Sequence, residues 1–201
     1  TIDGQAQKSA QNAVVTGLLE YDRRHGWRGV EASLEGVNPT DWLAQLQPIS
    51  RIGPLAPAVV TEVSEDQITA LLKAGETVQI NRTGFRWARA YRSVNSVGDA
   101  VSDARTLVSP GDLVRVVREG SQWWLAQNPD VEAGFVALDP QNGAIRAMVG
   151  GFNYFESKFN RAIQGGRLVG SGFKPLIYSA ALEAGMTPAT LVNDAPVVFD
   201  Q

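Results

Sequence analysis

Ala58-Val59-Val60-Thr61-Glu62-Val63 is the stretch on which the fold turns. Four of its residues are β-branched, a type that packs well on a pleated surface and loses rotamer freedom in a helix. The run predicts a strand. Beyond it the polar Ser64-Glu65-Asp66 reads as a turn, Ile68 to Leu72 as a second strand, and Thr77 to Ile80, after Gly75, as a third. Phe85, Trp87, Arg89 and Tyr91 then alternate with Arg86, Ala88, Ala90 and Arg92, a period of two that predicts another strand. Ser109-Pro110-Gly111-Asp112 is a strong turn signal, and Leu113 to Arg118 with Gln122 to Ala126 predict a hairpin around Glu119-Gly120-Ser121. Several short strands between Ala56 and Asn128 suggest a small antiparallel barrel of the OB type, closed off by Asn128-Pro129-Asp130.

Upstream, Gln5 to Tyr21 predicts a helix with Ala10, Ala13, Val14, Gly17 and Leu18 on one side. Asp3 caps its start, and Gly26 suits its end. Asn38-Pro39-Thr40-Asp41 caps a short helix from Asp41 to Leu46. Downstream, Glu132 to Leu138 and Ala144 to Val149 predict a second hairpin around Asp139-Pro140-Gln141-Asn142-Gly143, ending in Gly150-Gly151. A polar stretch from Asn153 to Arg167 leads to Pro175-Leu176-Ile177-Tyr178-Ser179-Ala180-Ala181-Leu182, which reads as an apolar, buried helix. The fold class is therefore α+β.

Bulk composition narrows the function. With 201 residues, 44% hydrophobic and 19% charged, the chain is globular rather than disordered. A net charge of −3 gives no basic footprint for nucleic acid. There are no cysteines, so disulfides and thiolate metal sites are excluded. One histidine, His25, leaves no histidine-based triad or cluster, and neither a metal nor a cofactor is expected. No window reaches the roughly 18 apolar residues of a membrane helix. The chain starts without Met and ends just after the strand-like run Ala195 to Phe199, and so reads as a piece of something longer.

Most eye-catching motifs have ordinary readings. The run Arg82-Thr83-Gly84-Phe85-Arg86-Trp87-Ala88-Arg89-Ala90-Tyr91-Arg92 offers rings and cations, but an acidic chain favours a plain strand pair with aromatics inward. Trp123 and Trp124 are adjacent and face opposite sides of a strand, so they form no single platform. His25 is a surface or packing residue. Gly150-Gly151 lacks the Gly-Lys-Ser/Thr of a phosphate loop. Asp139 caps its own turn.

Gly170-Ser171-Gly172-Phe173-Lys174-Pro175 is different. A serine hydroxyl needs a base to become a nucleophile, and a residue three positions on along a helix can reach it. A lysine serves as that base once burial or a neighbouring cation lowers its pKa. Gly170 and Gly172 leave room for a substrate carbonyl. The helix start favours the negative charge that an acyl-transfer intermediate develops. With twelve serines and four lysines, the spacing alone carries little, and the context carries the reading. A lysine just before a proline at the start of an apolar helix is poorly placed for free solvation.

Val136-Ala137-Leu138-Asp139-Pro140-Gln141-Asn142-Gly143-Ala144-Ile145-Arg146-Ala147-Met148-Val149-Gly150-Gly151 resembles the opening hairpin of the transpeptidase domain of class A penicillin-binding proteins. Ser157-Lys158-Phe159-Asn160-Arg161-Ala162 is similar to the run ahead of that family's nucleophile, and 170–175 to its Ser-x-x-Lys box. Leu191-Val192-Asn193-Asp194-Ala195-Pro196 is similar to the segment after it. Thr1-Ile2-Asp3 and Leu19 to Gly26 resemble the linker from the glycosyltransferase domain in 1a-type members, and the middle β unit their inserted OB-like domain. The family commonly has Gln-Pro-Gly-Ser-Ser-Phe-Lys-Pro where this chain has Leu168-Val169-Gly170-Ser171-Gly172-Phe173-Lys174-Pro175.

The resemblance implies a linker segment over 1–55, an OB-like domain over 56–130 and an incomplete transpeptidase domain over 131–201. It implies a bifunctional peptidoglycan synthase on the periplasmic face of the inner membrane, anchored by a segment upstream of this chain. Ser171 would attack the D-Ala-D-Ala carbonyl of a stem peptide and Lys174 would take its proton. Gly170 and Gly172 would flank the substrate. Stem peptides on lipid II-derived glycan strands, β-lactams and a periplasmic regulator at the OB-like domain are the implied partners. The family's Ser-x-Asn and Lys-Thr/Ser-Gly boxes would lie downstream, so these residues alone are expected to be inactive. The alternatives are a β-lactamase or D,D-carboxypeptidase, with water as acyl acceptor, and a non-catalytic OB-type interaction module.

Overall fold

The computed structural model describes residues 2–195, which fall into two compact units, one ending at Gly165 and the other beginning at Gly166. In the first unit the β-branched run forms β2 (Ala56–Val63). It pairs antiparallel with β3 (Gln67–Leu72), which pairs with β4 (Thr77–Asn81). The opposite edge of β2 pairs with β7 (Asp112–Glu119). The far edge of β7 is shared: β1 (Ala32–Ser33) pairs at Leu113 and Asp112, and β8 (Gln122–Ala126) from Arg115 to Glu119. The short helix α3 (Arg82–Phe85) and β4 come alongside β8 without a ladder between β4 and β8, so the sheet curls into a partly open barrel. Period-two patterning explains the interior. Ile68, Ala70 and Leu72 on β3 and Val78 and Ile80 on β4 turn inward to meet Val114, Val116 and Leu125. β2 is buried on both faces, with Val59 meeting Trp42, Leu46 and Leu113 outside the barrel.

The aromatic-basic run departs from its predicted strand. Asn81 Oδ1 accepts from the Gly84 N–H at 3.3 Å, capping α3, and only Tyr91–Ser93 (β5) is extended, paired with Ser96–Val97 (β6). Gly84 lies so close to β8 that a Cβ would sit 2.5 Å from the Trp123 carbonyl oxygen. The cap and that close approach override the alternation. Phe85 is nonetheless fully buried, and the Trp87 indole N–H donates to the Leu125 carbonyl at 3.0 Å. The two adjacent tryptophans divide as expected, Trp123 against the barrel core and Trp124 against the cluster outside it.

Helix α1 (Gly4–His25) is capped by Asp3, whose Oδ1 accepts from Ala6 N at 2.8 Å. Its buried face is Ala10, Val14 and Leu18, every fourth residue, with Leu19 and Asp22; Ala13 and Gly17, expected on that face, are exposed. The stripe packs on Leu55, Val117 and Ala126 of the barrel exterior and on Ala147, Val149 and Phe152. Ala147 and Val149 belong to β10 (Ile145–Val149), which forms a hairpin with β9 (Phe135–Leu138). The outer edge of β10 is closed by α1. Gln7 donates its side-chain N–H to Met148 O at 2.8 Å and accepts from Met148 N at 2.9 Å, while Asp3 N donates to Arg146 O. A side-chain amide thus stands in for a neighbouring strand. The short α2 (Trp42–Leu46) follows a 3-10 turn, Pro39–Asp41, capped by Asn38. No helix among the described residues is long and apolar enough to cross a membrane.

Where α1 ends, Asp22 is 3% exposed. Its carboxylate accepts from Arg28 Nη1 at 2.8 Å and Gln127 Nε2 at 2.7 Å. Removing one partner of a buried ion pair strands the other's charge. Asp22→Ala is expected to destabilise the protein by about 3 kcal/mol, read as a lowered urea midpoint. A change within about 0.5 kcal/mol would show that the network does not hold α1.

Candidate active-site segment

In the second unit a 3-10 turn, Gly170–Phe173, runs directly into α4 (Lys174–Glu183). Gly170 takes φ of 52°, the left-handed region that only glycine enters without strain. Pro175 sits in the first turn of α4, where a missing N–H costs nothing. Neither Val169 nor Phe173, the residues preceding the turn and the helix, supplies a side-chain cap, and the Gly172 N–H donates to the Val169 carbonyl at 3.0 Å. The Lys174 N–H donates to the Ser171 carbonyl. That backbone bond sets Ser171 and Lys174 one turn apart, with Gly170 and Gly172 in the same turn. No hydrogen bond joins the two side chains among the described residues.

Two expectations change here. Ser171 lies in a 3-10 turn ahead of the α-helix, not in it. The apolar helix is not buried: Leu176 is 62% exposed, Tyr178 61%, and Ile177 and Leu182 more than half. Lys174 is exposed too. The unit's described residues hold one α-helix, the 3-10 turn before it and further turns. The tail of the Leu191–Pro196 run, at Pro196, lies outside the described residues, as does most of the strand-like run from Ala195.

The segment that leads toward this turn is anchored in the first unit. In the β9–β10 turn, Asp139 Oδ1 accepts from Gln141 N at 2.9 Å, as expected of a turn cap. Its Oδ2 also accepts from Arg146 Nη2 at 2.6 Å. Gly150 and Gly151 are explained by close packing. A Cβ on Gly150 would lie 2.7 Å from the Asn160 side chain, and one on Gly151 2.8 Å from Glu132 Oε2. Glu132 also accepts from Phe152 N at 2.6 Å and faces Arg161 at 3.6 Å. Arg161 N donates to the Gly150 carbonyl. The sequence marked Asn160 and Arg161 only as part of the 157–162 run and Glu132 only as a strand start; their packing against Gly150 and Gly151 was not foreseen, though a double glycine followed by Asn-Arg was the available signal. His25, expected to be a surface or packing residue, is half-buried and stacks on Tyr21 at 3.9 Å. The letters Ser-x-Asn do occur, as Ser93-Val94-Asn95, but at the β5–β6 turn of the first unit.

The penicillin-binding protein OB-like domain model matches residues 27–131, and the penicillin-binding protein transpeptidase domain model matches 133–201. The first alone covers more than half of the chain, and the chain belongs to the penicillin-binding protein family. It is 42% identical to penicillin-binding protein 1A of Escherichia coli over 98% of its length, and equally identical to that of Pseudomonas aeruginosa over 99%. The chain spans 24% of each of those proteins. The crystal structure of penicillin-binding protein 1A from Haemophilus influenzae matches all of the chain with a TM-score of 0.78 at 32% identity, the match covering 29% of that structure. The α+β architecture, an OB-like barrel followed by part of a transpeptidase domain, is the family's.

Hydrogen bonding from Arg146, then from the Gln141 N–H, holds the Asp139 carboxyl below its ordinary value of 3.8. A depressed carboxylate pKa contributes stability above the ordinary Asp range, and that contribution is lost as pH falls through the lowered value. Arg146→Ala is expected to move the Asp139 titration up toward 3.8, followed by the side-chain carboxyl carbon shift in NMR. An unchanged midpoint would remove Arg146 as the main cause.

Proposed function

We propose that this chain is the linker, OB-like domain and N-terminal transpeptidase part of a peptidoglycan D,D-transpeptidase, divided as 1–55, 56–130 and 131–201. Ser171 is the nucleophile and Lys174 the base, with Gly170 and Gly172 lining the approach to the carbonyl. Ser171 Oγ attacks the D-Ala-D-Ala carbonyl as Lys174 takes its proton. Lys174 passes that proton to the leaving D-Ala amine, and an acceptor amine on a neighbouring strand, losing its own proton to Lys174, attacks the acyl carbon and releases Ser171 Oγ, which takes the proton back. The observation that carries the reading is the single turn linking Ser171 to Lys174, lying inside the stretch that matches the transpeptidase domain.

In the same reading, penicillins acylate Ser171, and the parent protein is also a glycosyltransferase anchored at the periplasmic face of the inner membrane. Residues 1–201 alone do not turn over, because the other transpeptidase boxes are supplied by the rest of the parent. A regulator at the OB-like barrel accompanies the enzyme role rather than replacing it.

Fluorescent penicillin labelling of the full-length protein tests this. Ser171→Ala is expected to abolish labelling, and retained labelling would sink the assignment. Lys174→Ala is expected to slow acylation by about 10²- to 10⁴-fold while leaving the circular dichroism unchanged. Unchanged acylation kinetics would remove Lys174 from the mechanism.

A further inference from the structure

A cleft of about 220 Å³ opens in the first unit beside the end of β10, lined by Gln11, Gly150, Gly151, Tyr154, Lys158 and Phe159 among others. Its floor is rigid. Asn160 fills the space beside Gly150, and Glu132 and Arg161 fill that beside Gly151, so the two glycines are fixed by packing rather than left open for motion. Asn160 Oδ1 also accepts from Ala162 N at 3.0 Å, and Asn160 N donates to Gln164 Oε1 at 2.6 Å, which fixes the far wall. Tyr154 and Phe159 stand at the rim with exposed rings.

The charge of this cleft is unbalanced in one direction. Arg161, its neighbour, is already engaged by Glu132, Ser157 Oγ and the Gly150 carbonyl. Lys158 is exposed and has neither an acidic partner nor a hydrogen-bond acceptor among the described residues, whereas Lys73 donates to the Ile49 carbonyl at 2.9 Å. A packed floor with Met148 and Val149 beside the glycines, two aromatic rims and one uncommitted ammonium suit a small molecule that has a carboxylate and an apolar body. Phosphate or nucleotide suits it poorly, since the backbone here presents no run of N–H groups like a phosphate loop.

We propose that this cleft is a second, non-reacting docking site for a peptide carboxylate, held by Lys158 with the peptide's apolar groups against Tyr154 and Phe159. Resting on the transpeptidase reading above, the peptide is a stem peptide, and its terminal carboxylate is the group recognised. No bond is made or broken at the site.

The full-length protein is first acylated with benzylpenicillin, which fills the reacting site and, by its own success or failure, tests the acyl-transfer reading separately. An acetylated tripeptide ending in D-Ala-D-Ala is then titrated by saturation-transfer difference NMR, beside the same peptide as its C-terminal amide. Saturable binding of the acid is expected, weakened about fivefold by amidation and by Lys158→Ala, and retained in Lys158→Arg. Equal binding of acid and amide, unchanged binding in Lys158→Ala, or no signal from the acid overturns the proposal. Penicillin labelling in Lys158→Ala is expected to match the parent.

Discussion

A buried carboxylate at the end of α1 organises the first unit. Asp22 carries a charge into a place where water cannot solvate it, and such a charge persists only when donors surround it. Arg28 and Gln127 supply them, and both are tied further. The Gln127 amide donates to the Gly26 carbonyl and accepts from Arg28 N, and Arg28 Nη2 donates to the Asn128 carbonyl. The helix end, the chain that leaves it and the strand end of β8 thus share one set of bonds. Once the helix is fixed there, its Ala10-Val14-Leu18 stripe lies along the barrel exterior and meets β10, and Gln7 falls on Met148. Ion pairs of this kind contribute modest net energy, but they allow few alternative arrangements. The direction of α1 is what this one fixes.

The barrel was largely legible because its information is local. β-branched runs, a turn with glycine and period-two burial are properties of neighbouring residues, and β2, β3, β4, β7 and β8 each formed within a residue or two of expectation. The failure at 82–92 is also local. Alternation over so short a span is easily satisfied, whereas one Asn81 side chain reaching Gly84 starts a helix and resets the phase. Asp22 could not be recognised at all, since its partner Gln127 lies 105 positions away and nothing in either segment marks the pairing. The same holds for Gln7 and Met148, 141 positions apart.

The Ser171 segment was legible in its letters and only partly in its setting. Spacing placed Ser171 and Lys174 within one turn, and the backbone bond between them agrees. Burial was inferred from the apolar run after Pro175, but apolar character states a need for cover without supplying it. Leu176, Ile177, Tyr178 and Leu182 are each more than half exposed among the described residues.

That exposed face and the proposed chemistry make one demand. A lysine acts as a base near neutral pH only where low dielectric or a neighbouring cation disfavours its charge, and water around the turn would also weaken N–H groups aimed at an oxyanion. A surface that covered α4 would do two things at once: it would bury four large apolar side chains, worth about 1.5–3 kcal/mol each when fully removed from water, and dry the turn that carries Ser171 and Lys174. On the acyl-transfer reading, stability and activation are then coupled: a substitution that loosens the cover costs folding energy and lets water onto the turn together. Within residues 170–183, a variant that weakened acylation without lowering stability would act on Lys174 or the turn rather than on the apolar side chains of α4.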